Sequence, residues 1–316
     1  MNREINFYDA QQASGFIIPQ QLRIETEVFQ TRYPSFEFGE LMFVNTDGDM
    51  WDIGTVFFSG DIAGKAEFLA GAGFDMPYAS VARTQFLQQN HFAGIGYEWF
   101  LQELQRAAKE GRNLPNEKAM AAGKVAQRFK YGIAIRGSTE KGFVGLINNP
   151  SVPTANVPAD GTGSSALWAN KTPDQIARDF NLGLSDVINN TAETSIPDTV
   201  LLPSSRLQAI STKRIGDTAD YTLLRFLREN NLITAQSGRP LTIRGSRELE
   251  TAGAGGTARM VTYENSREVV QFHLPGDHTF LPPWQKSSMT WEVAGIMNIG
   301  GTEIRLPKAM SYRDGI

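Results

Sequence analysis

The sequence predicts an α+β protein, and three observations carry that assignment. Helical periodicity is concentrated in two stretches, residues 95–131 and 172–231. Strand-like runs rich in Val, Ile, Phe and Thr gather before residue 91 and again after residue 240. The regular strand–helix–strand alternation of a doubly wound parallel sheet is missing between them.

Taken in order, residues 2–40 mix apolar and polar side chains without a clean period. "SGFIIP" and "RYPSFEFG" interrupt any helix begun there, so an irregular arm is expected. "DIGTVFF" (52–58) and "SVARTQFLQQN" (80–90) read as two strands flanking "SGDIAGKAEFLAGAGFDMP", a long hairpin with a wide tip that places glycine at 60, 64, 71 and 73. Both alternate sets of the second strand are largely polar, so neither of its faces can bury against a private core. A two-stranded hairpin alone is marginal in water.

"IGYEWFLQELQRAAKE" (95–110) sets Tyr97, Phe100, Leu101, Leu104, Ala107 and Ala108 on one helical face. Residues 116–131 repeat the pattern with Ala122, Val125, Ala126 and Phe129, after a proline that only a first turn tolerates. "GIAIRGSTEKGFVGLINNP" (132–150) reads as a short strand or turn region, and "SVPTANVPADGTGSS" (151–165) as a linker. Thr172, Pro173 and Gln175 have the spacing of a capping box that opens a helix running to about Asn190. "DTVLLP" is a buried strand, "SSRLQAIST" a short helix with serines as caps, and "ADYTLLRFLRENN" a further helix. "PLTIRGS", "ARMVTYEN" and "EVVQFHLP" are strands with the loop "ETAGAGGTA" among them, and "MTWEVAGIMNI" and "TEIRLP" are two final strands.

Composition removes several classes of function. A chain of 316 residues, 41% hydrophobic and 20% charged, can bury a full core. No run approaches the roughly 20 apolar residues of a membrane span, and the polar start "MNREINFYDAQQ" has neither the basic nor the apolar region of an export signal. With no cysteine, disulfides, thiolate nucleophiles and Cys-ligated metals are excluded. The net charge of -4 argues against a dedicated nucleic-acid binder.

Candidate chemistry fails on context. "SGDIAGKAEF" lacks the phosphate-loop spacing, and "AGAGGTARM" leads into a strand where a dinucleotide fingerprint needs a helix. His273 and His278, with Asp277 between them in "HLPGDHTF", match no metal-binding spacing, and a surface turn is the plainer reading. "TDGD" (46–49) lacks the glutamate that would complete a calcium loop and reads as a β-turn. No GxSxG occurs, so "LPSSR" offers helix caps in preference to a nucleophile. Arg206, Lys213, Arg214, Arg225 and Arg228 read as a solvated basic face. No catalytic, cofactor-binding or metal site is assigned.

The order of arm, glycine-tipped hairpin, long helix, "GFVGLINNP" and "DTVLLP" before a short helix resembles the tailed-bacteriophage major capsid proteins of the Hong Kong 97 fold. A run "AxxAGKVAxxxxxxxAIxG" leading to "GLINNP", here within residues 119–149, adds to the likeness. The resemblance implies an N-arm (1–50), an E-loop (51–91), a spine helix with the first part of a P-domain (92–147), an A-domain (148–285) and returning P-domain strands (286–316). It implies a subunit that self-assembles into hexamers and pentamers of an icosahedral shell around double-stranded DNA, held without sequence-specific contacts. Separate scaffold and portal proteins and a decoration protein are the implied partners, with assembly in the bacterial host cytoplasm and a final place in the virion.

On this resemblance Gly60, Gly64, Lys65, Gly71 and Gly73 form the inter-subunit tip of the E-loop, the glycines letting it bend and flatten across a neighbour. Some relatives weld subunits by an isopeptide bond from an E-loop lysine to a P-domain asparagine. Lys65 and Asn298 stand in those parts of this chain, although a lysine at a polar loop tip is more simply a solvated one. An encapsulin-like nanocompartment shell and, in a different class, a soluble α+β enzyme using carboxylates are the competing readings.

Overall fold

A computed structural model describes residues 38–63, 78–111, 113–216 and 221–316. The end of the arm is integrated into the body: Phe38, Leu41 and Met42 are buried, and β1 (Phe43–Asn45) pairs in parallel with a strand more than 220 residues away. Of the irregular arm expected over residues 2–40, only 38–40 fall among the described residues, and they lie in a turn. β2 (Gly54–Ala63) and β3 (Ser80–Gln89) form the expected antiparallel hairpin, in a register that sets Phe57 opposite Phe86. β4 (His91–Gly94) and β5 (Tyr97–Phe100) follow, and only then α1 (Leu101–Lys109). The helix expected from residue 95 thus starts late. "YEWF" satisfies strand alternation as well as helical spacing, and pairing with a distant strand decides between them.

α2 (Leu114–Arg136) starts at Asn113, whose side chain accepts from the Asn116 N–H, and carries Pro115 in its first turn. It runs past the expected end through "GIAIR", burying Ile133, Ala134 and Ile135. "GLINNP" then closes this helix. The Leu146 and Ile147 N–H groups donate to the carbonyls of Ala134 and Ile135, and Asn148 Nδ2 donates to the Arg136 carbonyl at 2.7 Å. Carbonyls that a helix C-terminus leaves unpaired are so satisfied. β6 (Gly137–Ser138) and β7 (Phe143–Val144) make a minimal hairpin here.

The segment expected as a linker is pinned to the body. β8 (Thr154–Asn156) is an edge strand of the largest sheet, the Pro158 carbonyl accepts from Lys171 Nζ at 2.6 Å, and Asp160 pairs with Arg178. α3 (Pro173–Asn190) opens on the complete Thr172–Gln175 capping box. Asp179 on this helix is fully buried and accepts from Lys171 Nζ at 2.5 Å and Trp168 Nε1 at 3.2 Å, so its charge is partnered. β9 (Thr199–Pro203) leads into α4 (Ser204–Thr212), whose first turn is capped from afar. Glu250 accepts from the Ser205 N–H at 2.9 Å and from Ser205 Oγ at 2.8 Å, and the serines do not cap it themselves.

α5 (Leu223–Glu229) lies within the expected helix "ADYTLLRFLRENN", and α6 (Leu232–Ser237) follows where none is expected. The remaining strands are β10 (Thr242–Ser246), β11 (Arg259–Tyr263), β12 (Val270–His273), β13 (Gly276–Phe280), β14 (Trp284–Ser287), β15 (Thr290–Val293), β16 (Gly295–Ile299), β17 (Gly301–Ile304) and β18 (Met310–Asp314).

The five-stranded sheet runs β10-β9-β11-β18-β8 and is covered on both faces. Val200, Leu202 and Met260 point into one core with α3 and α4; Leu201, Val261, Tyr263, Met310 and Tyr312 point into another with the end of α2. Burial on both sides explains why "VLLP" is apolar without alternation. β18 sits inside this sheet, so the last residues of the chain pair with β11 and β8. Three-stranded sheets β1-β12-β17, β13-β16-β4 and β14-β15-β5 complete the body.

Candidate inter-subunit surface

The hairpin leaves the body with β3 exposed along almost its whole length. The cross-strand register sorts its side chains. Opposite residues of an antiparallel pair share a face, and faces alternate along each strand. Val56 pairs with Leu87 and Phe58 with Gln85, and Val81 lies on the same side. These four apolar residues are exposed, Phe58 by 67%, Val81 by 62% and Leu87 by 60%. One face of the hairpin therefore carries four exposed apolar side chains, with Gln85 and Arg83 among them, a grouping that the second strand read by itself does not reveal. The other face carries Phe57 stacked on Phe86 at 5.2 Å, with the Arg305 guanidinium 5.3 Å from the centre of the Phe57 ring. That face leans on the body at its root, where Gln88 Nε2 donates to the Gly300 carbonyl at 2.5 Å.

Further apolar side chains are bare elsewhere. Val125 and Phe129, one helical turn apart on α2, are exposed, as is Met120. On β14 Trp284 is 72% exposed, sharing its face with Glu292, Glu98 and Lys286, whose Nζ lies 3.3 Å from Glu292 and 3.6 Å from Glu98. Exposed apolar groups in this number, on the hairpin, α2 and β14, are candidate contact surfaces.

The individual candidates from the sequence are dispersed. Gly60 stands in β2 opposite Arg83 with open space around it. Gly64, Lys65, Gly71 and Gly73 lie outside the described residues. Asn298 is buried in β16, its Nδ2 donating to the carbonyls of Met50 at 3.0 Å and Asp52 at 2.8 Å. His273 is not in a surface turn: it is buried, with Nε2 2.5 Å from Glu303, which also accepts from Gln271 at 2.7 Å and Arg305 at 3.0 Å. Burial alone would raise the Glu303 carboxyl, and the hydrogen bonds from His273, Gln271 and Arg305 outweigh it, holding the group below its ordinary range. His278 faces elsewhere, toward the Ile95 carbonyl.

"TDGD" forms a turn in which the Asp47 and Asp49 N–H groups donate to Asn45 Oδ1 and Asp52 Oδ2. The basic residues are partly engaged, Arg206 on the Ile316 carbonyl, Lys213 on the Lys171 carbonyl and Arg225 on Glu229. Among the described residues no cluster of three or more His, Asp or Glu is placed to hold a metal, and no helix is long and apolar enough to cross a membrane.

Residues 64–316 match the major capsid protein family. No curated protein matches the chain by sequence. Among solved structures, the capsid of Myoviridae phage XM1 is similar over 99% of this chain and 100% of its own, at 16% identity and a TM-score of 0.78. The capsid of the native GTA particle is similar over 98% and 99%, at 8% identity and a TM-score of 0.64. A Gordonia phage Cozz chain is similar over 99% and 96%, at 12% identity and a TM-score of 0.60.

Proposed function

The chain belongs to the major capsid protein family, and from that premise we propose that its hairpin and bare apolar surfaces are the contacts through which copies tile a phage head. The protein is a shell-forming structural subunit of the Hong Kong 97 type and not an enzyme. It acts by self-assembly, and its place is the virion.

The observation that carries the proposal is the hairpin. Val56, Phe58, Val81 and Leu87 stand exposed on one face of an element that, among the described residues, has no core of its own to bury them. Burial against a neighbour is worth about 25 cal/mol per Å² of apolar surface, a driving force that acts only in the assembly. A closed symmetric shell repeats the contact at every subunit, so modest individual contacts sum.

Residues 1–50 are proposed as the N-arm, 51–91 as the E-loop, 92–147 as spine helix and P-domain, 148–285 as A-domain and 286–316 as the returning strands. Gly60, Gly64, Lys65, Gly71 and Gly73 are then the E-loop tip. Double-stranded DNA is the proposed content, with separate scaffold, portal and decoration proteins and assembly in the bacterial host cytoplasm.

The test is the assembly state of tag-free protein, expressed with and without the scaffold, by light scattering and negative-stain electron microscopy. Shells or rings of five and six copies are expected, and removal of residues 60–76 should leave a folded, soluble subunit that forms neither. A monomer that persists with scaffold present would defeat the proposal, and shells filled with protein in place of DNA would defeat its statement of content.

A further inference from the structure

Within the four-residue stretch Asn298–Gly301, Asn298 and Gly300 grip the two legs of the hairpin where they leave the body. On the incoming leg, Asn298 Nδ2 donates to the carbonyls of Met50 and Asp52 at 3.0 and 2.8 Å. On the outgoing leg, the Gly300 carbonyl accepts from Gln88 Nε2 at 2.5 Å. Asn90 ties the two legs together: its N–H donates to the Ile53 carbonyl at 2.8 Å, and its Nδ2 to the same Asp52 carbonyl at 3.2 Å.

The glycines are required by this packing. A methyl group on Gly300 would stand 2.6 Å from Asn90 Oδ1 and 2.7 Å from His273 Cβ. Gly301 has φ +79°, and a methyl there would stand 2.8 Å from the Phe143 ring, whose face is met by His91 with ring centres 5.3 Å apart. Asn298 itself is fully buried, so its Nδ2 is committed to these carbonyls and not to solvent.

We infer that Asn298–Gly301 is the seat of the hairpin, with Asn298 and Gln88 as positioning residues that fix the direction in which it leaves the subunit. The purpose of that direction, presenting the apolar face to a neighbouring copy, rests on the shell reading; the grip is a property of the single subunit. This assignment competes with the weld suggested by the sequence. An isopeptide bond would join Lys65 Nζ to Asn298 Cγ and expel Nδ2 as ammonia, destroying both bonds that hold Met50 and Asp52.

Hydrogen–deuterium exchange of the full-length subunit tests the seat through Asn298→Leu, Gln88→Glu and Gln88→Lys. Loss of one such buried bond should speed exchange in peptides covering 50–54 and 88–91 about tenfold, while the peptide covering 199–203 stays protected. Gln88→Glu removes the donor to Gly300, and Gln88→Lys supplies one again, so the lysine variant should return toward wild type. In assembly, Asn298→Leu and Gln88→Glu should give fewer or malformed shells.

Unchanged exchange in both, no difference between the glutamate and lysine variants, or a covalent ladder on denaturing gels that Asn298→Leu abolishes would each overturn the inference. If Asn298→Leu fails to fold, the two Gln88 variants decide alone. Failure of the wild-type chain to assemble would instead strike the shell reading and leave the exchange result standing.

Discussion

Arg259 shows how much one buried side chain carries. Its Nε and Nη2 meet the two carboxylate oxygens of Asp314 at 2.7 and 2.8 Å, its Nη1 donates to the Ile147 carbonyl at 2.7 Å, and its guanidinium lies 4.5 Å from the centre of the Tyr312 ring. It thereby ties β11, β18 and Ile147 of "GLINNP" together. Arg259→Met leaves the buried Asp314 without its cation, a loss expected to cost about 3 kcal/mol, read as a shift in the urea midpoint of the isolated subunit at unchanged slope. Glu303 gives a pH dependence with a definite sign. Its folded value is held below the ordinary 4.5 by His273, Gln271 and Arg305 against the effect of burial. The stability it contributes is complete above 4.5 and is lost as pH falls through the lower folded value. Urea titrations between neutral pH and the acid limb should therefore show a shallower acid loss in Glu303→Gln than in wild type. An equally steep loss would mean that the carboxyl is not what acid titrates here.

At the scale of elements, local signals were legible where the cause was local. The Thr172–Gln175 box and Pro173 announce α3, and the box is complete in the structure: the Gln175 N–H donates to Thr172 Oγ1 and the Thr172 N–H to Gln175 Oε1. Thr172→Ala should cost about 1 kcal/mol, checked by thermal unfolding, whereas Asp174→Asn beside it leaves both bonds in place and should cost less. Elements with distant causes were misread. "YEWF" is a strand because Thr290–Val293 lies beside it in register, nearly two hundred residues away. β8 reads as a linker because its partner is β18, and serine caps suggest themselves for α4 because its real cap, Glu250, comes from a 3₁₀ turn forty-five residues on. Each miss has one origin: the deciding hydrogen bond reaches across the chain, and neither periodicity nor propensity carries that information.

The whole molecule was legible as architecture before its surfaces were. The hairpin, long helix and mixed lobe follow from breakers, alternation and helical spacing, whereas the exposed apolar side chains on one face of the hairpin do not. Along β3 the sequence alternates weakly, and Val81 and Leu87 gain meaning only when the register places Val56 opposite Leu87 and Phe58 beside them. The same holds for Gly300 and Arg305, which reach the hairpin from more than two hundred residues further along the chain. The apolar face yields a prediction that separates folding from assembly. Phe58→Ser with Leu87→Ser replaces two side chains exposed by 67% and 60%, so neither core loses a contact and subunit stability should change by less than about 0.5 kcal/mol. Solubility of the free subunit should rise as its bare apolar area falls. Shell yield should collapse, because burial of those groups against a neighbour is part of what drives association. Calorimetry of the free subunit and particle counts by electron microscopy read the two effects independently. Unaltered shells would remove the apolar face from the contact, and a destabilised subunit would show that the hairpin packs on its own body.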